Sequence, residues 1–151
     1  MKVTLLGAGS WGTAMAAQAA RYLQPGDVSL WSRSVEQIEG MQQSGANTGY
    51  LPGVALPKDL QLEVSFERAI ARLSENDLLV IATPMSGLSE TVAQVLHLAK
   101  HPLNIVWLCK GLEPSTTLLP HQVVAREDQL HSHGLVPVSY THLRAHETLM
   151  N

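Results

Sequence analysis

A chain of 151 residues is long enough for one domain with a proper hydrophobic core and too short for two ordinary ones. Hydrophobic residues make up 45%, charged residues 15%, and the formal net charge is −3, so no basic footprint marks a nucleic acid or an anionic membrane as partner. A single cysteine, Cys109, excludes a disulfide framework, and the first apolar run is too short for a signal peptide or a membrane span. A cytoplasmic protein is the expectation.

Residues 2–6 are a short aliphatic run that predicts a buried strand. The segment Gly7-Ala8-Gly9-Ser10-Trp11-Gly12 breaks it. Residues 13–22 follow, rich in alanine, with helical propensity and side chains small enough to lie close to a sheet. A Pro25-Gly26-Asp27 turn leads into a strand over Val28–Trp31. Ser34 and Gln37 have capping-box spacing and open a helix through about Met41. Residues 44–58, rich in Gly, Pro and Asn without a clear period, read as a functional or connecting loop. Residues 61–64 are a weak strand and 65–73 a short helix. Residues 77–82 form an almost continuous aliphatic run, suited to a parallel strand covered on both faces.

Thr83-Pro84 ends that strand, and residues 86–100 supply a helix with apolar positions Leu88, Val92, Val95, Leu96 and Ala99. Residues 104–109 predict another buried strand, 110–115 a turn and 116–126 a further helix. Strands alternating with helices imply an α/β fold with a doubly wound parallel sheet, because parallel neighbours need a crossover of helical size.

Gly7-x-Gly9-x-x-Gly12 matches the dinucleotide fingerprint in the required context, after a strand and before a helix. Gly7 permits the tight turn, Gly9 lets backbone N–H groups approach a pyrophosphate, and Gly12 lets the helix pack on the strand. The phosphate charge then meets the positive end of the helix. About 20 residues further on, an acidic residue would hold the ribose 2′-OH of NAD. The chain has Trp31-Ser32-Arg33-Ser34 there, with no carboxylate before Glu36. Arg33 and the two hydroxyls suit a 2′-phosphate, so NADPH is expected to be accepted; a surface arginine closing a strand is the competing reading. Lys110 follows a buried strand at the edge where ligands of open α/β sheets bind, although a solvated strand-end lysine fits the spacing as well.

Four segments in register resemble one family. Gly7-Ala8-Gly9-Ser10-Trp11-Gly12-Thr13 with the run before it, Val28 to Arg33, Tyr50-Leu51-Pro52-Gly53 with Val54 to Pro57, and Lys110-Gly111-Leu112-Glu113-Pro114 are similar to NAD(P)-dependent sn-glycerol-3-phosphate dehydrogenase. The resemblance covers residues 1 to about 137. It implies a Rossmann-type NAD(P)-binding domain, with Ser10, Trp11, Arg33 and Tyr50 beside the cofactor. Lys110 would stand where cofactor and substrate meet. It implies hydride transfer between NAD(P)H and dihydroxyacetone phosphate, giving sn-glycerol 3-phosphate for phospholipid synthesis. Thr83-Pro84 resembles the turn bordering the nicotinamide.

After Pro137 the resemblance ends. The family's second, helical domain with its catalytic lysine does not follow, so no catalytic residue is assigned and the chain by itself is expected to be inactive. Val138 to Thr148 resembles the translation of a transposase-type sequencing adaptor, and residues 138–151 are expected to be a non-native tail. His131, His133, His142 and His146 have spacings that suggest a metal, but no other ligand type accompanies them, so none is expected. His97, His101 and His121 read as surface residues. A homodimer is an expectation for the intact protein, and a stand-alone dinucleotide-binding module without catalysis is the alternative function. A hydroxyacid or ketopantoate dehydrogenase is disfavoured by Ser10-Trp11, Tyr50 to Pro57 and Lys110 to Pro114.

Overall fold

The structure, a computed structural model, describes residues 1–130. The predicted boundary at Pro137, the tail after it, and His131, His133, His142 and His146 lie outside the described residues.

Five strands, β1 (Val3–Leu6), β2 (Val28–Trp31), β3 (Gln61–Glu63), β4 (Leu78–Ile81) and β5 (Asn104–Trp107), alternate with five helices. These are α1 (Ser10–Tyr22), α2 (Val35–Ser44), α3 (Phe66–Ala71), α4 (Leu88–Leu98) and α5 (Pro120–Leu130). All strand pairs are parallel in the order β3-β2-β1-β4-β5, so β1 is central and Leu5 is flanked by Leu30 and Val80. The chain winds outward from β1 to β2 and β3, then restarts on the other side with β4 and β5. That reversal puts the switch point of the sheet at the carboxyl ends of β1 and β4, the edge where ligands of open α/β sheets bind.

Alternation along each strand builds two cores. Val3, Leu5, Val28, Leu30 and Val80 meet α1 and α2 through Ala16, Ala20, Ile38 and Met41. Leu6, Leu79, Ile81, Ile105 and Trp107 meet α3, α4 and α5 through Ile70, Val92, Val95, Val123 and Val124. Every residue of β1 is buried, as an aliphatic run covered on both faces must be. Alanines at the contact positions of α1 bring its backbone close to the sheet, and with it the loop that precedes it.

The elements fall where the sequence predicts them, with three informative differences. α1 starts at Ser10, three residues early, so Ser10 and Trp11 belong to its first turn and not to a loop. α2 runs on to Ser44, where Gly45 caps it and donates its N–H to the Met41 carbonyl. α5 starts at Pro120 and not at Thr116. Glu113 O takes the N–H groups of Thr116 and Thr117, which folds residues 113–117 into a turn, and Thr117 leaves it at φ 59°. Pro120 then opens the helix, where its missing N–H costs nothing, and Gln122 Oε1 accepts the Leu119 N–H at 2.9 Å. Between α2 and β3 the long loop is closed at its base by Leu56 N–H donating to Gly45 O and a bridge between Ala46 and Ala55. Among the described residues no helix is long and apolar enough to cross a membrane.

Candidate functional site

Gly7 and Gly12 have the closest surroundings of the described glycines. Gly7 has φ 116°, and a Cβ there would lie 2.7 Å from the Ala82 carbonyl oxygen. A Cβ on Gly12 would lie 2.0 Å from Gly7 O and 3.0 Å from the Ala82 Cβ. These two positions therefore exclude side chains for internal reasons: the turn off β1, the first turn of α1 and the end of β4 touch one another.

Gly9 is different. A Cβ there would meet nothing within 4 Å, so what leaves room at Gly9 is not the protein's own packing. Gly9 is also the N-cap of α1 and has no side chain to cap it. The N–H groups of Gly9 and Ser10 have no acceptor among the described residues. An uncapped helix start with open space beside it can receive an anion.

Polar side chains from later in the chain hold this loop from behind. Ala8 O accepts Gln37 Nε2 at 2.7 Å and Asn47 Nδ2 at 2.9 Å, and Asn47 Nδ2 also donates to Thr13 Oγ1 at 2.8 Å. Asn47 and Thr13 are buried. In front, Ser10 Oγ donates to Tyr50 O at 2.6 Å, which ties the 46–57 loop to the start of α1. Of the predicted site residues, Ser10 and Tyr50 are thus in direct contact. Trp11 and Tyr50 are 76% and 57% exposed beside the loop.

At the end of β2 the structure divides the group expected to recognise a 2′-phosphate. Arg33 is exposed and has no hydrogen bond or ion pair among the described residues. Both serine hydroxyls are committed internally. Ser32 Oγ, buried, donates to Gln37 Oε1 at 2.6 Å and accepts the Ser34 N–H at 3.2 Å. Ser34 Oγ caps α2 by accepting the Gln37 N–H at 3.2 Å and donates to Glu36 Oε2 at 3.1 Å. The capping box is therefore half formed: Ser34 caps, while the Gln37 side chain turns away to Ser32 and Ala8. Only Arg33 remains available to a ligand. Glu36 is held below the usual carboxylate range by its own backbone N–H and by Ser34, so it is charged near the same corner.

Lys110 is exposed just past β5, and no hydrogen bond or ion pair among the described residues joins it to the glycine loop. It shares the carboxyl edge of the sheet with that loop, since β5 pairs with β4 and Gly7 packs on Ala82 after β4. The turn that carries it is anchored by Glu113, which was not singled out from the sequence. Buried Glu113 takes Arg126 Nη1 at 3.0 Å and Nη2 at 3.3 Å, as well as the Thr116 hydroxyl. Hydrogen bonds from Arg126 and then Thr116 hold its carboxyl below the usual range. Burial pushes the Cys109 thiol up to about 11, in keeping with its packing against the core.

The Thr83 hydroxyl, after β4, is buried without a hydrogen-bond partner among the described residues. His101 is half-buried and bridges Pro102 O and Leu73 O, in place of the expected surface position, while His97 is exposed. No group of three or more His, Cys, Asp or Glu converges among the described residues.

Sequence reasoning missed Gln37 in this role and Asn47 altogether. They lie 29 and 39 positions from Ala8, and no local signal announces such contacts.

Residues 2–139 match the family described as NAD-dependent glycerol-3-phosphate dehydrogenase N-terminus. A glycerol-3-phosphate dehydrogenase [NAD(P)+] of Polynucleobacter necessarius is 70% identical over 135 residues, which are 89% of this chain and 40% of that protein. The chain thus spans well under half the length of that relative. The solved glycerol-3-phosphate dehydrogenase of Coxiella burnetii superimposes with a TM-score of 0.76 at 32% identity, covering 92% of this chain and 39% of its own. A putative 2-dehydropantoate 2-reductase of Enterococcus faecalis shares only the fold, at TM-score 0.56 and 16% identity over 91% of this chain and 38% of that one. With the family match spanning nearly its whole length, the chain belongs to the NAD-dependent glycerol-3-phosphate dehydrogenase N-terminal family.

Proposed function

We propose that this chain is the NAD(P)-binding half of an oxidoreductase that interconverts sn-glycerol 3-phosphate and dihydroxyacetone phosphate in the cytoplasm. The observation that carries the reading is the start of α1, where an uncapped helix end faces open space at Gly9 on the carboxyl side of the central strand. The residues present fit a dinucleotide. N–H groups at Gly9 and Ser10 take the pyrophosphate, with Gly7 and Gly12 shaping the turn beneath them. The rings of Trp11 and Tyr50 flank it, and Arg33 takes the adenosine end. Lys110 is the cation for the substrate side, placed to pair with a phosphate or to polarise a carbonyl.

The bound nicotinamide supplies the hydride; the chain's part is to hold it in orientation. The relatives' printed names, which carry both NAD and NADP, support the cofactor class and the reaction. With Ser32 and Ser34 engaged elsewhere, discrimination for a 2′-phosphate rests on Arg33.

Titration of the purified protein with NADPH and NADH, read by nicotinamide fluorescence, tests the cofactor assignment. Saturable binding of NADPH, weakened about tenfold by Arg33→Ala while NADH binding changes little, is the expected result. No binding of either nucleotide overturns it. Deleting the gene tests the reaction: cells should then depend on supplied sn-glycerol 3-phosphate, and unimpaired growth without it overturns the substrate reading.

A further inference from the structure

The peptide that joins Ala8 to Gly9 decides where the loop's first free N–H points. A trans peptide is planar, with its C=O and N–H directed oppositely, so fixing the Ala8 carbonyl fixes the Gly9 N–H. That carbonyl accepts two side-chain amides, Gln37 Nε2 at 2.7 Å and Asn47 Nδ2 at 2.9 Å. Each amide is itself held. Ser32 Oγ donates to Gln37 Oε1 at 2.6 Å, which leaves the Nε2 end to face Ala8. Asn47 is 2% exposed and also donates to the fully buried Thr13 hydroxyl on α1.

With both acceptor directions of the carbonyl filled from behind, the Gly9 N–H is turned away from them. It has no acceptor among the described residues, and the space around Gly9 is open. This peptide turns about Ala8 ψ and Gly9 φ, and glycine at the second leaves other orientations cheap, so the orientation has to be imposed from outside the loop.

We infer that Gln37 and Asn47 are positioning residues that together lock the Ala8–Gly9 peptide with its N–H preset toward the cofactor phosphate. The inference rests on the dinucleotide reading of the same loop. Neither side chain touches the ligand; they act through the carbonyl they share. Because either amide alone still holds that carbonyl, their loss is cooperative.

NADPH titration of the wild-type protein, Gln37→Met, Asn47→Ser and the double variant tests this, with circular dichroism and thermal unfolding recorded for each. Gln37→Met preserves side-chain length at a half-buried position and so leaves folding intact even where Asn47→Ser costs stability. Each single change should weaken NADPH binding about 5-fold, the value of one hydrogen bond. The double change should exceed the product, about 25-fold, because the lock is then gone. Adding inorganic pyrophosphate should shift the Gly9 amide resonance in the wild type and not in the double variant, a readout that general loosening does not move. Folded variants that bind NADPH as well as wild type, a double loss at or below the product, or a Gly9 shift that persists in the double variant would each overturn the inference while leaving the cofactor reading standing. A wild-type protein that binds no dinucleotide removes both.

Discussion

Helices α1 and α2 begin at the same edge of the sheet, each after a parallel strand, yet their first turns are finished in opposite ways. α2 is closed by its own sequence: Ser34 accepts the Gln37 N–H, and Glu36 stands in the first turn. α3 repeats the device with Ser65, which accepts the Arg68 N–H at 3.2 Å. α1 has Gly9 at the corresponding place, no capping side chain and no acidic residue in its first turn. Glycine in place of a capping side chain costs a few tenths of a kcal/mol, so α1 forgoes a little stability that α2 and α3 keep; α4, after Gly87, also lacks a side-chain cap but carries Glu90 in its first turn. The supports differ in chemistry as well. Behind the glycine loop stand neutral amides and hydroxyls, whereas the turn before α5 is held by Glu113, Arg126 and Glu127.

The largest effect expected from this comparison comes from Gly12. Gly12→Ala places a Cβ 2.0 Å from Gly7 O, a backbone atom that cannot rotate aside. The turn or the helix must then move, at a cost of about 3 kcal/mol, and NADPH binding should vanish with it. A thermal midpoint and an affinity close to wild type would show that the contact between loop and helix is looser than the geometry states. Ser34→Ala is next. It removes the α2 cap for about 1 kcal/mol. It should leave NADPH affinity nearly unchanged, because Gln37 keeps its bonds to Ser32 and Ala8. Denaturant unfolding and fluorescence titration separate the two quantities.

How much of this was legible beforehand follows from the range of each interaction. The aliphatic run of β4 and the alanines of α1 report burial locally, so the doubly wound sheet could be read from periodicity and alternation. Gly7 and Gly12 were legible because only glycine fits where three backbones meet. Ser34 was legible as a cap, but the Gln37 half of the box was misread, since its amide is claimed by Ser32 and by Ala8, 29 positions away. Asn47 lies in a loop without period and contacts Ala8 39 positions away. The start of α5 was misplaced because the bonds from Thr116 and Thr117 to Glu113 favour a turn that propensity alone does not register. Arg33 was named from its place at the end of β2 and Lys110 from its place after β5, with the resemblance added to both, whereas Trp11 was named from the resemblance; all three are exposed.

Acid should separate the two supports. Glu113 is depressed by Arg126 and Thr116, and Asp77 by the Lys2 and Ser74 N–H groups and the Ser74 hydroxyl, which outweigh the upward pull of its burial. A carboxyl lowered in the folded state stabilises fully above its unfolded value, about 4 for these side chains, and loses that contribution as pH falls through the folded value. Below about pH 4, amide protection factors should therefore fall first in residues 111–118 and around Asp77, while the Ala8 clasp, which holds no carboxylate, stays protected. Glu113→Gln should flatten the fall of thermal midpoint with acid. Equal loosening of the glycine loop would mean that the two supports form one unit.

The smallest effect on stability belongs to the change that makes α1 resemble α2. Gly9 is the N-cap with φ −76°, a backbone any residue adopts, and a Cβ there meets no atom within 4 Å. Gly9→Asp therefore adds a capping carboxylate without strain and should raise stability by a few tenths of a kcal/mol, the usual margin of aspartate over glycine at this position. The same carboxylate occupies the helix end intended for phosphate and repels it, so NADPH affinity should fall by about 100-fold. Stability and binding then move in opposite directions in one variant. A gain in thermal midpoint with unchanged NADPH affinity would mean that the bare end of α1 is merely an absent cap. A gain with loss of binding would mean that the glycine is kept for the ligand.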